Sequence, residues 1–203
     1  VPATPPPPHP WVEDHRRLAD AARLLQAGEP GPAAGELASV QIPEGERSYR
    51  AVRAHLLAGE LALARGDFAA AVASARVAAG LAVEDDRIDA VWLLARALEA
   101  ANRPEDAFAA LVELGRGTGV LYRGSLRHDV LAGLYRLAPA VSGATAEGRS
   151  LLLDYGRILA RYGHWQAAVA LLQRVDWAER RPEAFLELAQ AWQRLGQPAR
   201  ARR

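Results

Sequence analysis

The 203-residue chain contains no cysteine, no methionine and no lysine, a single asparagine (Asn102) and three isoleucines. Without cysteine there is no disulfide, no thiolate metal ligand and no cysteine nucleophile, and the redox compartment stays open. All 25 basic residues are arginine, and against 24 acids they leave a net charge of +1. That balance gives no whole-chain basic footprint for nucleic acid. No apolar run is long enough to cross a bilayer, since the longest alanine-rich stretch, 69–82, is broken by Ser74 and Arg76. The five histidines, at 9, 15, 55, 128 and 164, fall at no metal-ligand spacing. Neither a metal nor another cofactor is expected. Scarce Lys, Asn and Ile beside abundant Ala, Arg, Gly and Pro is what GC-rich codons give, and a high-GC bacterial source is expected.

What is present is a pattern repeated five times. Its anchors are Gly28, Gly66, Asn102, Gly163 and Gly196. Seven residues before each stands a small residue: Ala21, Gly59, Ala95, Gly156 and Ala189. Four before stand Leu24, Ala62, Leu98, Leu159 and Trp192. Two after stand Pro30, Phe68, Pro104, Trp165 and Pro198. Five after stand Ala33, Ala71, Ala107, Ala168 and Ala201. In a chain with 44 alanines, five alanines at one offset arise by chance about once in two thousand. Glycine or asparagine ends a helix by accepting the left-handed backbone of a C-terminal cap. Proline two residues on suits the first turn of the next helix. The small residues let the two helices approach. The expected fold is all-α, a stack of antiparallel helix hairpins near 11–40, 46–83, 87–115, 148–176 and 182–203.

Anchor spacing is 38, 36, 61 and 33 residues, so an irregular insertion is expected over 116–147. Within it, Gly115, Gly117, Gly119 and Gly124 are read as breaking the pattern, and 125–137 as one extra helix with Ser125 as its N-cap and Asp129 in its first turn. Residues 1–10 carry six prolines and read as a semi-rigid polyproline spacer before the repeat domain at 11–203. The chain opens on Val1 without methionine, and the expectation is a processed or excised chain. The partner helix begun at Pro198 stops after six residues. It is expected to leave Phe185, Leu188 and Trp192 uncovered, an apolar end open to missing repeats or to self-association.

The pattern resembles the tetratricopeptide repeat family. The best copy is 52–85, where Gly59, Gly66-Asp67-Phe68, Ala71 and Ala78 stand where that family has its small, turn and aromatic residues. The resemblance covers about four fifths of the chain. It implies a right-handed superhelical solenoid that binds proteins without catalysis. It further implies that the first helix of each hairpin lines a concave groove. The groove positions would be Arg53, Leu56 and Glu60, then Asp89, Trp92, Arg96 and Glu99, then Leu153, Arg157 and Arg161, then Leu186, Gln190 and Arg194. Trp92 would be the aromatic contact, and Trp165 and Trp192 match core positions. An arginine-rich groove of this kind suits an acidic or C-terminal peptide, because guanidinium forks carboxylates. The clamp of lysines and asparagines that holds chaperone tails is missing.

Catalysis has little to rest on. Gly115-Arg116-Gly117-Thr118-Gly119 lacks the P-loop lysine and the Rossmann spacing, although Arg116 and Arg123 are candidates to hold an anion. Ser125, His128 and Asp129 come without an oxyanion site or an oriented base. The reading is a non-enzymatic scaffold for a protein or peptide partner, with no nucleic acid and no transmembrane segment. Bacterial envelope lipoproteins look similar in the phrase 56–67 and in the proline-rich lead, which favours periplasm or envelope over cytoplasm. The alternative is a regulatory or sensor domain of a larger cytoplasmic regulator.

Overall fold

The computed structural model describes residues 10–43, 45–117, 128–173 and 182–201. Among these the secondary structure is helical throughout, as expected: α1 Pro10–Gln26, α2 Pro30–Ala38, α3 Tyr49–Ala64, α4 Phe68–Leu81, α5 Glu84–Ala100, α6 Pro104–Arg116, α7 His128–Leu137, α8 Ala146–Arg161, α9 Trp165–Leu172, α10 Pro182–Arg194 and α11 Pro198–Ala201. A short 3-10 turn, Ala138–Ala140, follows α7. The helices divide into two compact units with the boundary between Asn102 and Arg103.

All five anchors lie in the middle of three-residue turns, and all five have left-handed backbone, with φ of 76°, 76°, 58°, 81° and 70° in chain order. Around the four glycines the residue after the anchor donates its N–H to the carbonyl of the apolar residue four before it. These bonds are Glu29 N to Leu24 O, Asp67 N to Ala62 O, His164 N to Leu159 O and Gln197 N to Trp192 O, at 2.8 to 2.9 Å. This is the Schellman closure, which uses carbonyls that the helix end leaves unpaired. Asn102 holds the same backbone with a Cβ present, a strain that glycine does not carry. Asn102→Gly is therefore expected to raise stability by about 0.5 kcal/mol, and Asn102→Ala to lower it by about 1 kcal/mol. Denaturant midpoints of the two variants check the sign of each.

In unit 1, α1 packs on α2, α3 on α4, and α5 on α4, while the first helices form a row in which α3 touches α1 on one side and α5 on the other. The core is made of small side chains. Ala21, Ala33, Ala71, Ala75 and Ala78 have no exposed surface, and they are joined by Leu18, Val52, Leu56, Leu57, Ala90 and Leu93. Gly59 shows why a small residue is needed seven before the anchor: a Cβ there would stand 2.9 Å from Leu93 Cδ2 and 3.5 Å from the Ala71 carbonyl. Arg50 ties α1 to α3, donating to Asp14 at 2.5 Å and to Glu46 at 2.6 Å. The Arg50 guanidinium and the Ser48 hydroxyl hold the Glu46 carboxyl below its ordinary range.

In unit 2, α6 packs on α7 and α8, α8 on α9, and α10 on α9, α8 and α11. Phe108, Leu111, Val112, Val130 and Leu134 are fully buried, with Tyr155, Ile158 and Leu159 nearly so. The extra helix therefore contributes Val130 and Leu134 to this core. Gly156 repeats the logic of Gly59, since a Cβ there would stand 2.5 Å from Leu172 Cδ2.

Several boundaries differ from the sequence expectation. Helix α3 starts at Tyr49, not near 46, because the Ser48 hydroxyl accepts the Ala51 N–H at 3.2 Å. Helix α8 starts at Ala146, because Thr145 caps the Gly148 N–H at 3.0 Å. Helix α5 starts at Glu84 rather than near 87, which puts Asp86 in its first turn, where negative charge is favoured by the helix dipole. Gly115 does not break the pattern: α6 runs through it to Arg116, and it is buried where a Cβ would meet Ile158 Cδ1 at 2.6 Å. Ser125, Gly119, Gly124 and Arg123 lie outside the described residues, as do residues 1–9. At the far end, Trp192 is covered rather than open. Arg200 of α11 stacks over its ring at 4.8 Å, and Trp192 packs with Val169, Ala191, Leu188 and Ala201. Phe185 and Leu186 remain exposed.

Candidate partner-binding groove

In unit 1 the row α1–α3–α5 encloses a hollow of about 360 Å³ lined by Leu25 and Gln26 of α1, Glu60, Leu63 and Ala64 of α3, and Arg96 of α5. Two of the expected groove residues, Glu60 and Arg96, meet here. Both are exposed, and neither makes an ion pair or hydrogen bond among the described residues. They hold one register, six residues before the anchors Gly66 and Asn102, so the repeat itself brings them to neighbouring places on adjacent first helices. The walls come from a second register, nearer the anchors. Leu25 and Leu63 stand three before their anchors, and Gln26 and Ala64 two before. A side chain on a helix leans toward its N-terminus, so residues of the last turn overhang the face that the six-before position occupies.

Arg53 lies on α3 two turns before Glu60 and is half-buried, and Trp92 on α5 is half-buried as well. Glu99 is half-buried near the end of α5 and takes part in interactions of its own. Leu56 and Leu153, expected in the groove, are core residues with 7% and 5% exposure. Both stand ten before an anchor, the register of buried Leu18 and of half-buried Trp92, and Leu56 packs with Ala90 and Leu93 of the next hairpin. Leu186 is exposed at 60%, and Asp89 and Gln190 are exposed too.

Arg157, Arg161 and Arg194, the expected groove arginines of unit 2, are engaged within the unit. Arg157 donates to Asp154 at 3.4 Å and to Glu187 of α10 at 3.3 Å. Arg161 donates to the Gly115 carbonyl at 3.4 Å. Arg194 stands over the Trp165 ring at 5.9 Å, a cation–π contact. Arg116, a candidate for holding an anion, is bonded to Asp154 and, at 2.9 Å, to Glu113, and the Asp154 bond first and the Glu113 bond second push its guanidinium further toward the charged form. Its donors are already turned to this protein's own carboxylates, Glu113 and Asp154, and not to an anion site. Asp129 accepts the N–H of Val130 at 2.9 Å. His55 is half-buried in α3, and burial pushes its imidazole toward the neutral form.

Among the described residues no group of three or more His, Asp or Glu is placed to hold a metal ion. No described helix is long and apolar enough to cross a membrane.

No protein-family model matches this chain, and no curated protein does. Among solved structures, a Podosopora anserina protein described as a kinesin light chain with nearly identical TPR-like repeats is similar at 18% identity, over 96% of this chain and 92% of that one, with a TM-score of 0.44. A form of that protein with a single glutamine-to-methionine substitution is similar to the same degree.

Proposed function

We propose that the chain is a protein-interaction module, and that the face formed by α1, α3 and α5 holds a peptide segment of its partner. The observation that carries this reading is the hollow itself. Three successive first helices line an open hollow that takes a large apolar side chain together with part of the adjoining backbone, with apolar walls from Leu25 and Leu63 and two opposite charges, Glu60 and Arg96, at its rim. Burying one apolar anchor while satisfying both charges is how a shallow surface reaches micromolar affinity. The partner segment then carries an apolar side chain flanked by an acid facing Arg96 and a base or N–H donor facing Glu60. Arg53 and Glu99 extend the same face along α3 and α5 and complete the contact. Arg157, Arg161 and Arg194 enter only where a partner acid displaces their present contacts, and they contribute less.

A displayed peptide library selected on the wild-type chain tests this. Arg96→Glu is expected to weaken the selected peptides about tenfold, the effect of one charge-assisted contact at a partly exposed site. Glu60→Arg is expected to shift the selected consensus toward acids. Peptides that bind wild type, Arg96→Glu and Glu60→Arg equally would contradict the assignment.

A further inference from the structure

We propose that a second hollow, in unit 2, binds a small aromatic carboxylate. Its volume is about 340 Å³, at the lower end for ligand pockets. Tyr135 of α7, Gly163 and His164 of the turn before α9, Trp165 and Gln166 in the first turn of α9, and Leu195 just past α10 line it. Two aromatic rings and a leucine form walls that suit a flat apolar body. The polar groups between them are donors or amides, and no carboxylate joins them. Trp165 Nε1 stands 4.0 Å from where a Cβ on Gly163 would be, so the indole N–H lies beside that turn. An indole N–H only donates, and the Gln166 amide and the His164 imidazole each bring a donor as well. Burial pushes the Tyr135 phenol upward, so that side chain stays neutral.

Charge sets the sign of the ligand. The described segments 130–138, 159–173 and 188–201 hold every lining residue, and they contain Arg136, Arg161, Arg194 and Arg200 but no aspartate or glutamate. The described acids nearest in sequence are committed elsewhere, Asp154 and Glu187 to Arg157 and Asp129 to the Val130 N–H. Unit 2 as a whole carries 15 arginines against 10 acids, whereas unit 1 carries 10 against 14. Arg194 gives this field a direction. It precedes Leu195, and its guanidinium stands over the Trp165 ring at 5.9 Å without an ion pair among the described residues. The cation–π contact holds the arginine beside the hollow and leaves its charge unneutralised. An amine would meet that charge unfavourably. A carboxylate on a short chain satisfies Arg194 while its ring lies against Tyr135 and Trp165. The lining comes from three separate segments around one short space, not from a row of successive first helices such as a peptide follows in unit 1. The ligand is therefore a free molecule of that size.

Titration of the intact chain with phenylacetate, phenylethanol and phenylethylamine tests this, read by the NMR signal of the Trp165 indole N–H. Loss of that signal in Trp165→Phe assigns it. The expected result is saturable binding of the acid at about 1 mM, ordinary for a ligand of this size, with the alcohol about fivefold weaker and the amine weaker again. Arg194→Gln, at an exposed position, should bring the acid down to the affinity of the alcohol and leave the alcohol unchanged. Damage to the fold would lower both together. No shift of the signal up to about 20 mM acid would overturn the proposal. So would equal affinities for the three compounds, tightest binding of the amine, or an acid affinity that Arg194→Gln does not change. An aspartyl-phenylalanine dipeptide blocked at both ends carries the same chemistry within a peptide. Tighter binding of that dipeptide than of phenylacetate would place the ligand in a protein partner and overturn the assignment to a small molecule.

Discussion

Alanine at position 148 is expected to unfold the start of α8 and to cost unit 2 about 3 kcal/mol, well above the effect of an ordinary surface change. Gly148 is buried in the first turn of that helix. Its N–H donates to Thr145 Oγ1 at 3.0 Å, and a Cβ there would collide with the carbonyl oxygen of Ser142 and stand 2.9 Å from Thr145 Oγ1. The obstacle is backbone, so no rotamer change relieves it. Relief requires the 142–145 turn to move away, which breaks the cap that fixes where α8 begins. Gly143, one residue beyond Ser142, has open space around its missing Cβ, so Gly143→Ala should stay within about 0.5 kcal/mol of wild type. Thermal unfolding of the two variants decides it. A fall of about 10 °C for Gly148→Ala beside a near-constant Gly143→Ala is expected. Equal melting temperatures would mean that the turn yields freely.

Phe108→Ala is expected to cost unit 2 about 4 kcal/mol, the usual loss for a fully buried phenylalanine. Its ring is fully buried and meets Tyr155 edge-on at 5.4 Å, and Tyr155 meets Tyr135 edge-on at 6.0 Å. This places one side chain from each of α6, α7 and α8 in a single aromatic contact. Tyr155 also carries a consequence for pH. Burial first, then the neighbouring Tyr135, push its phenol well above the ordinary range. Its hydroxyl finds no hydrogen-bond partner among the described residues. A group whose pKa is raised on folding stabilises the native state below its unfolded pKa and loses that contribution as pH rises toward the folded value. Stability of unit 2 should therefore fall as pH climbs above about 10. Phe108→Ala should flatten that fall, because a cavity admitting water lets the phenolate form at lower pH. Ultraviolet titration of tyrosine alongside denaturant unfolding at pH 9 and 11 reads both effects. A slope equal in wild type and variant would show that Tyr155 does not drive it.

The helical turns were legible in the sequence because the need is local and recurs five times. Each turn asks for left-handed backbone at one position and a helix start two residues later, and Gly, Asn and Pro report those needs directly. The small residues were legible for the same reason, as Gly59 and Gly156 show by standing where a methyl group has no room. What was hidden depends on the neighbour. Leu56 and Leu153 lie on faces that look like a groove on one helix alone, yet both are buried, Leu56 against Ala90 and Leu93 of the next hairpin. Arg157 and Arg161 look available until Glu187 of α10 and the carbonyl of Gly115 in α6 arrive from 30 and 46 residues away. Gly115 looks like a helix breaker because close helix approach and helix termination select the same residue. The hollow itself follows from the repeat register, with Glu60 and Arg96 six before their anchors and Leu25 and Leu63 three before. That rule was present in the sequence, but it needed the stacking of the first helices to give it meaning.

The most direct test of the account is a photo-crosslinker placed at Ala64, on the wall of the hollow, and separately at Arg76, exposed on α4. Each variant is loaded with the tightest peptide selected on the wild-type chain. The account predicts that position 64 captures the peptide and that unlabelled peptide competes the product away, while position 76 stays clear. Capture from position 76, with none from position 64, would contradict it and move the binding surface to the second helices.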